Sequence, residues 1–274
     1  MLNKLNVAFY LENAMVTELG VKVGCCGFPV SRSKYFKTHN IVEIQQTFYK
    51  PPSIKTLRRW RNEAPGTFEF TIKAWQLITH SPKSPTWRKA GIKVEKSENY
   101  GFLKPTPENF KAWEKMVEIA EILKSTIIVV QTPPSFKVSD VNIKNALEFF
   151  RNAKSIAGNV EIAWEPRGDW IKKVESIKAI VLKTEIIHCV DPFVIDPAYV
   201  GNIVYLRLHG RNGKWPNYKY RYCEEDFNFL ILKIRNYIEK GANIVYVMFN
   251  NIFMYNDSLS FKNRCSTEFK GLCI

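Results

Sequence analysis

Ile203-Val204-Tyr205-Leu206-Arg207-Leu208-His209 is the stretch on which the fold turns, because it is a β-rich run carrying two chemistries in alternation. Successive strand side chains point to opposite faces of a sheet. Val204, Leu206 and Leu208 therefore share an apolar face that suits a covering layer of helices. Tyr205, Arg207 and His209 share the other face, which points into the interior that the sheet encloses. An unpaired guanidinium in such an interior is costly, so Arg207 requires an acidic partner, a ligand or water.

Seven further runs of this kind are spread along the chain: Val21–Gly24, Ile41–Ile44, Phe68–Ile72, Thr126–Val130, Val160–Trp164, Glu185–Val190 and Asn243–Phe249. Helical patterns separate them, which is the signature of βα units and a mainly parallel sheet. Thr106 and Pro107 open a helix with its apolar face on Trp113, Met116, Val117, Ala120 and Leu123. Ser139 opens a second, which ends near Gly158. Glu224, Glu225 and Asp226 favour the start of a third, with its stripe on Phe227, Leu230, Ile231, Ile234 and Ile238 and its stop at Gly241. Eight strands alternating with helices predict a closed (β/α)8 barrel in a single domain over residues 21–264. A segment over 1–20 precedes it and a tail over 265–274 follows. No GxGxxG or Walker loop supports a nucleotide-binding open sheet.

The 274 residues carry a net charge of +14, and hydrophobic residues at 46% suffice for a large core. No apolar run approaches the roughly 18 residues of a membrane span. Glu12 and Asn13 break the short apolar stretch that a signal peptide would need, so a cytoplasmic protein is expected. The six cysteines form no CxxC pair and read as free thiols, with Cys25 and Cys26 either packing residues or a thiol nucleophile. Residues 50–104 hold twelve Lys and Arg against four Glu. Within them, the stretch from Trp75 to Lys104 forms a long basic excursion after the third strand, on the side where barrel enzymes carry their sites. There Trp87, beside Arg88 and Lys89, either anchors the loop or stacks on a base.

The same parity places Thr71 and Lys73, then Glu161 and Glu165, on the interior face of their strands. Glu43, Gln131, Asp191, Asn250 and Asn251 fall at strand ends. This set reads either as an ion-pair network filling the barrel, with Glu43 or Glu161 neutralising Arg207 or Lys73, or as a ligand site. Convergence on one mouth favours the site. Its chemistry would assign Glu43 and Glu165 as general acid and base, with His209 as proton carrier. Lys73, Arg167, Arg207 and Arg211 would bind an anion, because Arg matches phosphate or carboxylate in a bidentate way; Asn250 and Tyr49 would add contacts. No cofactor is expected. The four histidines include no HxH or HExxH, so the one metal arrangement left open is a single weakly held divalent cation on Glu43, Glu165 and Asp191.

Ordered motifs along residues 21–260 also resemble the YecE-like family, a domain of unknown function designated DUF72. They are Val-Gly-Cys-Cys-Gly-Phe at 23–28, Val-Glu-Ile-Gln-Gln-Thr-Phe-Tyr at 42–49, Phe-Thr-Ile-Lys-Ala at 70–74 with Ile-Thr-His at 78–80, and Val-Gln-Thr-Pro-Pro-Ser-Phe at 130–136. Trp-Glu-Pro-Arg at 164–167, Tyr-Leu-Arg-Leu-His-Gly-Arg at 205–211 and Phe-Asn-Asn at 249–251 complete the series. The resemblance implies a TIM-like barrel and carries over Glu43, Thr47, Phe48, Tyr49, Lys73, His80, Glu165, Arg167, Arg207, His209, Gly210, Arg211, Asn250 and Asn251 as motif positions. It implies no reaction. The chain departs from the family at Cys25 and Cys26, at Gln45, and at Gly168 and Asp169 after Arg167, which bears on specificity. The leading expectation is an enzyme using acid–base chemistry on an anionic, phosphate-bearing substrate at the barrel mouth, with hydrolysis of a phosphate ester as the first candidate reaction. The alternative is a nucleic-acid-binding protein without catalysis, using the basic region 50–104.

Overall fold

The computed structural model describes residues 19–273. Eight parallel strands alternate with helices: β1 (Gly20–Cys26), β2 (Ile41–Ile44), β3 (Glu69–Lys73), β4 (Ile127–Gln131), β5 (Glu161–Glu165), β6 (Ile187–His188), β7 (Ile203–Leu208) and β8 (Ile244–Phe249). Their order is β6-β5-β4-β3-β2-β1-β8-β7. The ring closes between the two ends of that series at Val190. The Arg207 N–H donates to the Val190 carbonyl at 2.8 Å, and the Val190 N–H to the Tyr205 carbonyl at 3.1 Å. The sheet is thus a nearly closed TIM-type barrel in one domain, as the alternation of the sequence predicts.

The longer helices are α1 (Ile54–Glu63), α2 (Pro107–Leu123), α3 (Asp140–Ala157), α4 (Val174–Thr184), α5 (Glu224–Glu239) and α6 (Met254–Glu268). The predicted caps form: Thr106 Oγ1 accepts from the Asn109 N–H, and Ser139 Oγ from the Asn142 N–H at 3.2 Å. Two core layers follow from strand parity. Ile128, Val130, Ile162 and Trp164 meet helix residues such as Trp113, Phe149 and Phe150 outside the sheet. Cys26, Ile41, Val129, Ala163, Tyr205 and Met248 fill the barrel itself. The amino end is plugged by Lys22, whose Nζ lies 2.5 Å from Glu69 Oε2, while Tyr246 donates to Glu69 Oε1 at 2.7 Å.

Several boundaries differ from the sequence reading for physical reasons. β3, β4 and β5 each run one residue later than predicted, because each ends on a polar residue, Lys73, Gln131 or Glu165, that still makes ladder pairs. β6 is shorter, because Glu185 takes a left-handed conformation at the end of α4 (φ 53°). The segment after β3 is folded rather than loose. Gln76–Thr79 and Pro85–Lys89 are helical, Leu77, Ile78 and Leu103 are buried, and the Gly101 N–H donates to the Leu77 carbonyl at 2.7 Å. Trp87 is 3% exposed, so it anchors this segment and presents no face for a base. At the carboxyl terminus, α6 runs through the predicted boundary at 264 as far as Glu268, and Cys273 bridges to Val21 beside β1. Of the segment predicted over 1–20, Gly20 already belongs to β1, and residues 1–18 lie outside the described residues.

Candidate active site

Arg207 sits at the centre of the barrel, fully buried, with a carboxylate on each side. Its Nε donates to Glu43 Oε2 at 3.0 Å, its Nη2 lies 3.0 Å from Glu43 Oε1, and its Nη1 donates to Glu165 Oε2. Glu43 has further donors in the Tyr205 hydroxyl at 3.0 Å and the Gln45 amide, and Tyr205 OH lies 2.8 Å from Thr71 Oγ1. Removing three charges from water is expensive, and the close pairing of opposite charges offsets the loss of solvation. Burial opposes the charge on Arg207, but Glu43 and Glu165 outweigh it and lift the guanidinium well above its ordinary value. The sequence requirement for an acidic partner is met twice over. Glu161, the other candidate partner, lies at the opposite end of β5 and pairs with Lys154 at 2.6 Å.

Arg167, just beyond β5, forms the next layer outward. Its Nε donates to Glu165 Oε1 at 2.5 Å, its Nη2 lies 2.9 Å from His209 Nε2, and its guanidinium lies 5.1 Å from the Trp215 ring centroid. Burial alone would raise the Glu165 carboxyl, yet Arg167 and Arg207 hold it well below the usual carboxylate range. A guanidinium only donates, so His209 Nε2 accepts and the ring proton is on Nδ1, 3.5 Å from Asp191 Oδ2. His209 is accordingly neutral, and burial lowers its pKa further than Glu165 and Asp191 raise it. Asp191 is itself engaged, accepting from the His209 backbone N–H at 2.9 Å and from Trp215 Nε1 at 3.0 Å.

Lys73 closes β3 on the interior face. Its Nζ donates to Gln131 Oε1 at 2.9 Å and lies 4.1 Å from the Phe48 ring centroid. No carboxylate pairs with it among the described residues. Burial, then the charges of Arg207 and Arg167, pull its pKa down to about 7. His80 packs edge-on against Phe48, with ring centroids 4.9 Å apart, and its pKa falls to about 3 through burial and the Lys73 and Arg167 charges. Beside this mouth, the loop after β7 encloses a cavity of about 260 Å³ lined by Phe193, Gly210, Arg211, Trp215 and Asn217. Gly210 is required there: its φ is +83°, and a Cβ would stand 2.0 Å from the Asn217 carbonyl oxygen.

Of the predicted site residues, Glu43, Glu165, His209, Lys73, Arg167 and Arg207 form this one cluster. Arg211 does not join it: its guanidinium pairs with Asp226 in the first turn of α5. Tyr49 is 42% exposed and packs edge-on against Phe48, at the rim of the cluster. Asn250 is half-buried just past β8. Asn251 has a structural part, donating to the Tyr220 carbonyl and to Asp257 Oδ2, each at 2.7 Å. The cation arrangement that the sequence left open is not assembled, because Arg207 stands between Glu43 and Glu165 while Asp191 holds the β7 loop. No group of three His, Cys, Asp or Glu among the described residues is placed to hold a metal ion. Cys25 and Cys26 are buried, and burial pushes both thiols up, Cys25 to about 12, which suits packing rather than nucleophilic attack. Phe48, Gln131 and Trp215 complete the site. Gln131 was legible as a polar strand end, whereas Trp215 lies in a loop with no periodicity to reveal its direction.

A parallel barrel whose carboxyl mouth holds buried arginines, carboxylates and an unpaired lysine defines a class of TIM-type protein with a built interior polar site. Residues 31–267 match the model described as protein of unknown function DUF72, so the chain belongs to that family. The DUF72 protein of Enterococcus faecalis V583 is 18% identical with a TM-score of 0.66, over 91% of this chain and 99% of that one. The DUF72 protein of Thermotoga maritima MSB8 is 23% identical with a TM-score of 0.63, over 90% and 99%. D-psicose 3-epimerase, solved in the presence of D-fructose, is 11% identical with a TM-score of 0.56, over 92% and 100%, a likeness of fold alone. No curated protein matches the chain in sequence. No helix among the described residues is long and apolar enough to cross a membrane.

Proposed function

We propose that this chain is an enzyme that binds a small phosphate- or carboxylate-bearing substrate at the carboxyl mouth of its barrel and acts on it by acid–base chemistry. The observation that carries this reading is Lys73. It is a buried amine with no carboxylate partner among the described residues, set in the same charge cluster as Arg167, and an anion there would complete its pairing. Arg207 has another task. With both faces taken by Glu43 and Glu165 it holds the barrel interior together, and anion binding falls to Lys73 and Arg167. Hydrolysis of a phosphate ester asks for an acid at the leaving oxygen. His209, neutral and already accepting from Arg167, is poorly suited to that role, so the geometry favours proton transfer at Lys73.

Nucleic-acid binding through residues 50–104 rests on their charge, because Trp87 supplies no stacking surface. A thermal-shift series at low salt separates the two readings, using inorganic phosphate and short single- and double-stranded DNA and RNA against wild type and Arg167→Gln. Phosphate at a hundred times its dissociation constant adds about 2.7 kcal/mol, or roughly 5–10 °C in a chain of this size. The expected result is a phosphate shift in wild type that the variant reduces at least about threefold. No phosphate shift, together with polynucleotide stabilisation that disappears in salt, would sink the enzyme reading in favour of the binding protein.

A further inference from the structure

Lys73 differs from Lys22, Lys154 and Lys233 in its surroundings. Lys22, Lys154 and Lys233 each lie within 2.7 Å of a carboxylate oxygen and keep part of their surface in water. Lys73 is 8% exposed, has an aromatic face under its Nζ, and has one neutral acceptor, Gln131 Oε1. While no anion is bound, a neutral amine suits this position: it gives one N–H to Gln131 and retains a lone pair, whereas an ammonium buries two further protons that meet no carboxylate among the described residues. Desolvation and neighbouring cations are the two influences that turn a lysine into a nucleophile.

We propose that Lys73 Nζ attacks the carbonyl carbon of an anionic aldehyde or ketone and forms an imine, with Arg167 holding the substrate's phosphate or carboxylate. This rests on the anion-binding reading above and adds the covalent step. The Nζ lone pair forms the C–N bond while the carbonyl π pair moves to oxygen, which takes one proton from the nitrogen to give a carbinolamine. The C–O bond then breaks as the oxygen takes a second proton from solvent and leaves as water, and an iminium C=N–H remains. One amine, one carbonyl compound and one proton give one iminium and one water, with no change of oxidation state. The iminium so formed withdraws electrons from the adjacent carbon, so the reaction class is carbon–carbon or carbon–hydrogen bond chemistry next to a carbonyl. Phe48 and Gln131 act as positioning residues, one shielding the amine from water and the other orienting it.

The test is reductive trapping. The protein is incubated near pH 7 with glyceraldehyde 3-phosphate or pyruvate and cyanoborohydride, and the reduced adducts are mapped by peptide mass spectrometry. Lys73 is expected to carry at least about ten times more adduct than exposed lysines such as Lys55 or Lys124, because desolvation and neighbouring cations make its amine the better nucleophile. Inorganic phosphate should suppress the glyceraldehyde 3-phosphate adduct, and Lys73→Arg should lose the adduct. Labelling of Lys73 no greater than that of exposed lysines, with a phosphate shift still present, overturns the imine and leaves the anion site standing. Strong labelling of Lys73 without any effect of phosphate supports the imine and removes the anion site. The labelling comparison is made within wild type, so it does not depend on the folding of a variant.

Discussion

Arg207 is the residue on which the interior depends. Its guanidinium is the shared partner of two buried carboxylates, so its removal would leave Glu43 and Glu165 facing each other with no cation between them. Arg207→Met is expected to lower stability by about 3–5 kcal/mol, as removal of one partner from a buried pair does, measured by urea unfolding. A loss below about 1 kcal/mol would show that water or rearrangement replaces the guanidinium. The requirement that Arg207 find an acid was legible from its parity in β7. Which acid, and that there are two, was not, because Glu43 and Glu165 come from strands 164 and 42 residues away in sequence. Lys73 makes the same point in reverse: parity placed it inside, but the absence of a carboxylate beside it is a property of the assembled barrel.

At the scale of elements, the polar strand ends and the β7 loop build the mouth. A strand predicted from its apolar run stops one residue short when its last residue is Lys73, Gln131 or Glu165, so the offsets in β3, β4 and β5 all fall on site residues. The loop from His209 to Tyr218 turns back over the cluster through Gly210, with the Asn217 N–H donating to the His209 carbonyl at 2.9 Å. Gly210→Ala forces a left-handed alanine against the Asn217 carbonyl, and backbone strain of this kind amounts to about 1–3 kcal/mol. The expected outcome is a lower melting temperature and a changed Trp215 environment, seen in tryptophan fluorescence together with loss of phosphate binding. A variant with wild-type melting and fluorescence would show that the loop does not depend on the tight approach at Gly210.

The whole molecule buries all of its histidines. His39, His80, His188 and His209 are at most 7% exposed, and burial lowers the pKa of each, to about 4 for His39 and about 3 for His80 and His188. The unfolded chain takes up protons at these rings as pH falls below about 6.5, while the native state does not until pH 3–4. Stability is therefore lost as pH falls through that window, at up to about 4 kcal/mol per pH unit for three such histidines. Acid unfolding followed by circular dichroism is expected to begin above pH 4.5, before most carboxylates titrate. Stability that stays level down to pH 4 would contradict the neutral, buried state of these rings.

By itself the sequence determined the alternation of strands and helices, the caps at Thr106 and Ser139, the inward set Lys73, Glu165, Arg207 and His209 with Glu43 at a strand end, and the family. These are local or periodic properties, since a period of two or of 3.6 and a capping hydroxyl are written within a few neighbouring residues. Only the tertiary structure decided that Arg207 is locked between two glutamates, that Arg211 turns away to Asp226, that Trp87 is an anchor, and that Lys73 has no carboxylate partner among the described residues. Each of those depends on which side chains from distant strands meet within a few ångströms. Pair distances and local dielectric exist only once the barrel has closed, and they, more than residue type, set the charge and the work of a buried group.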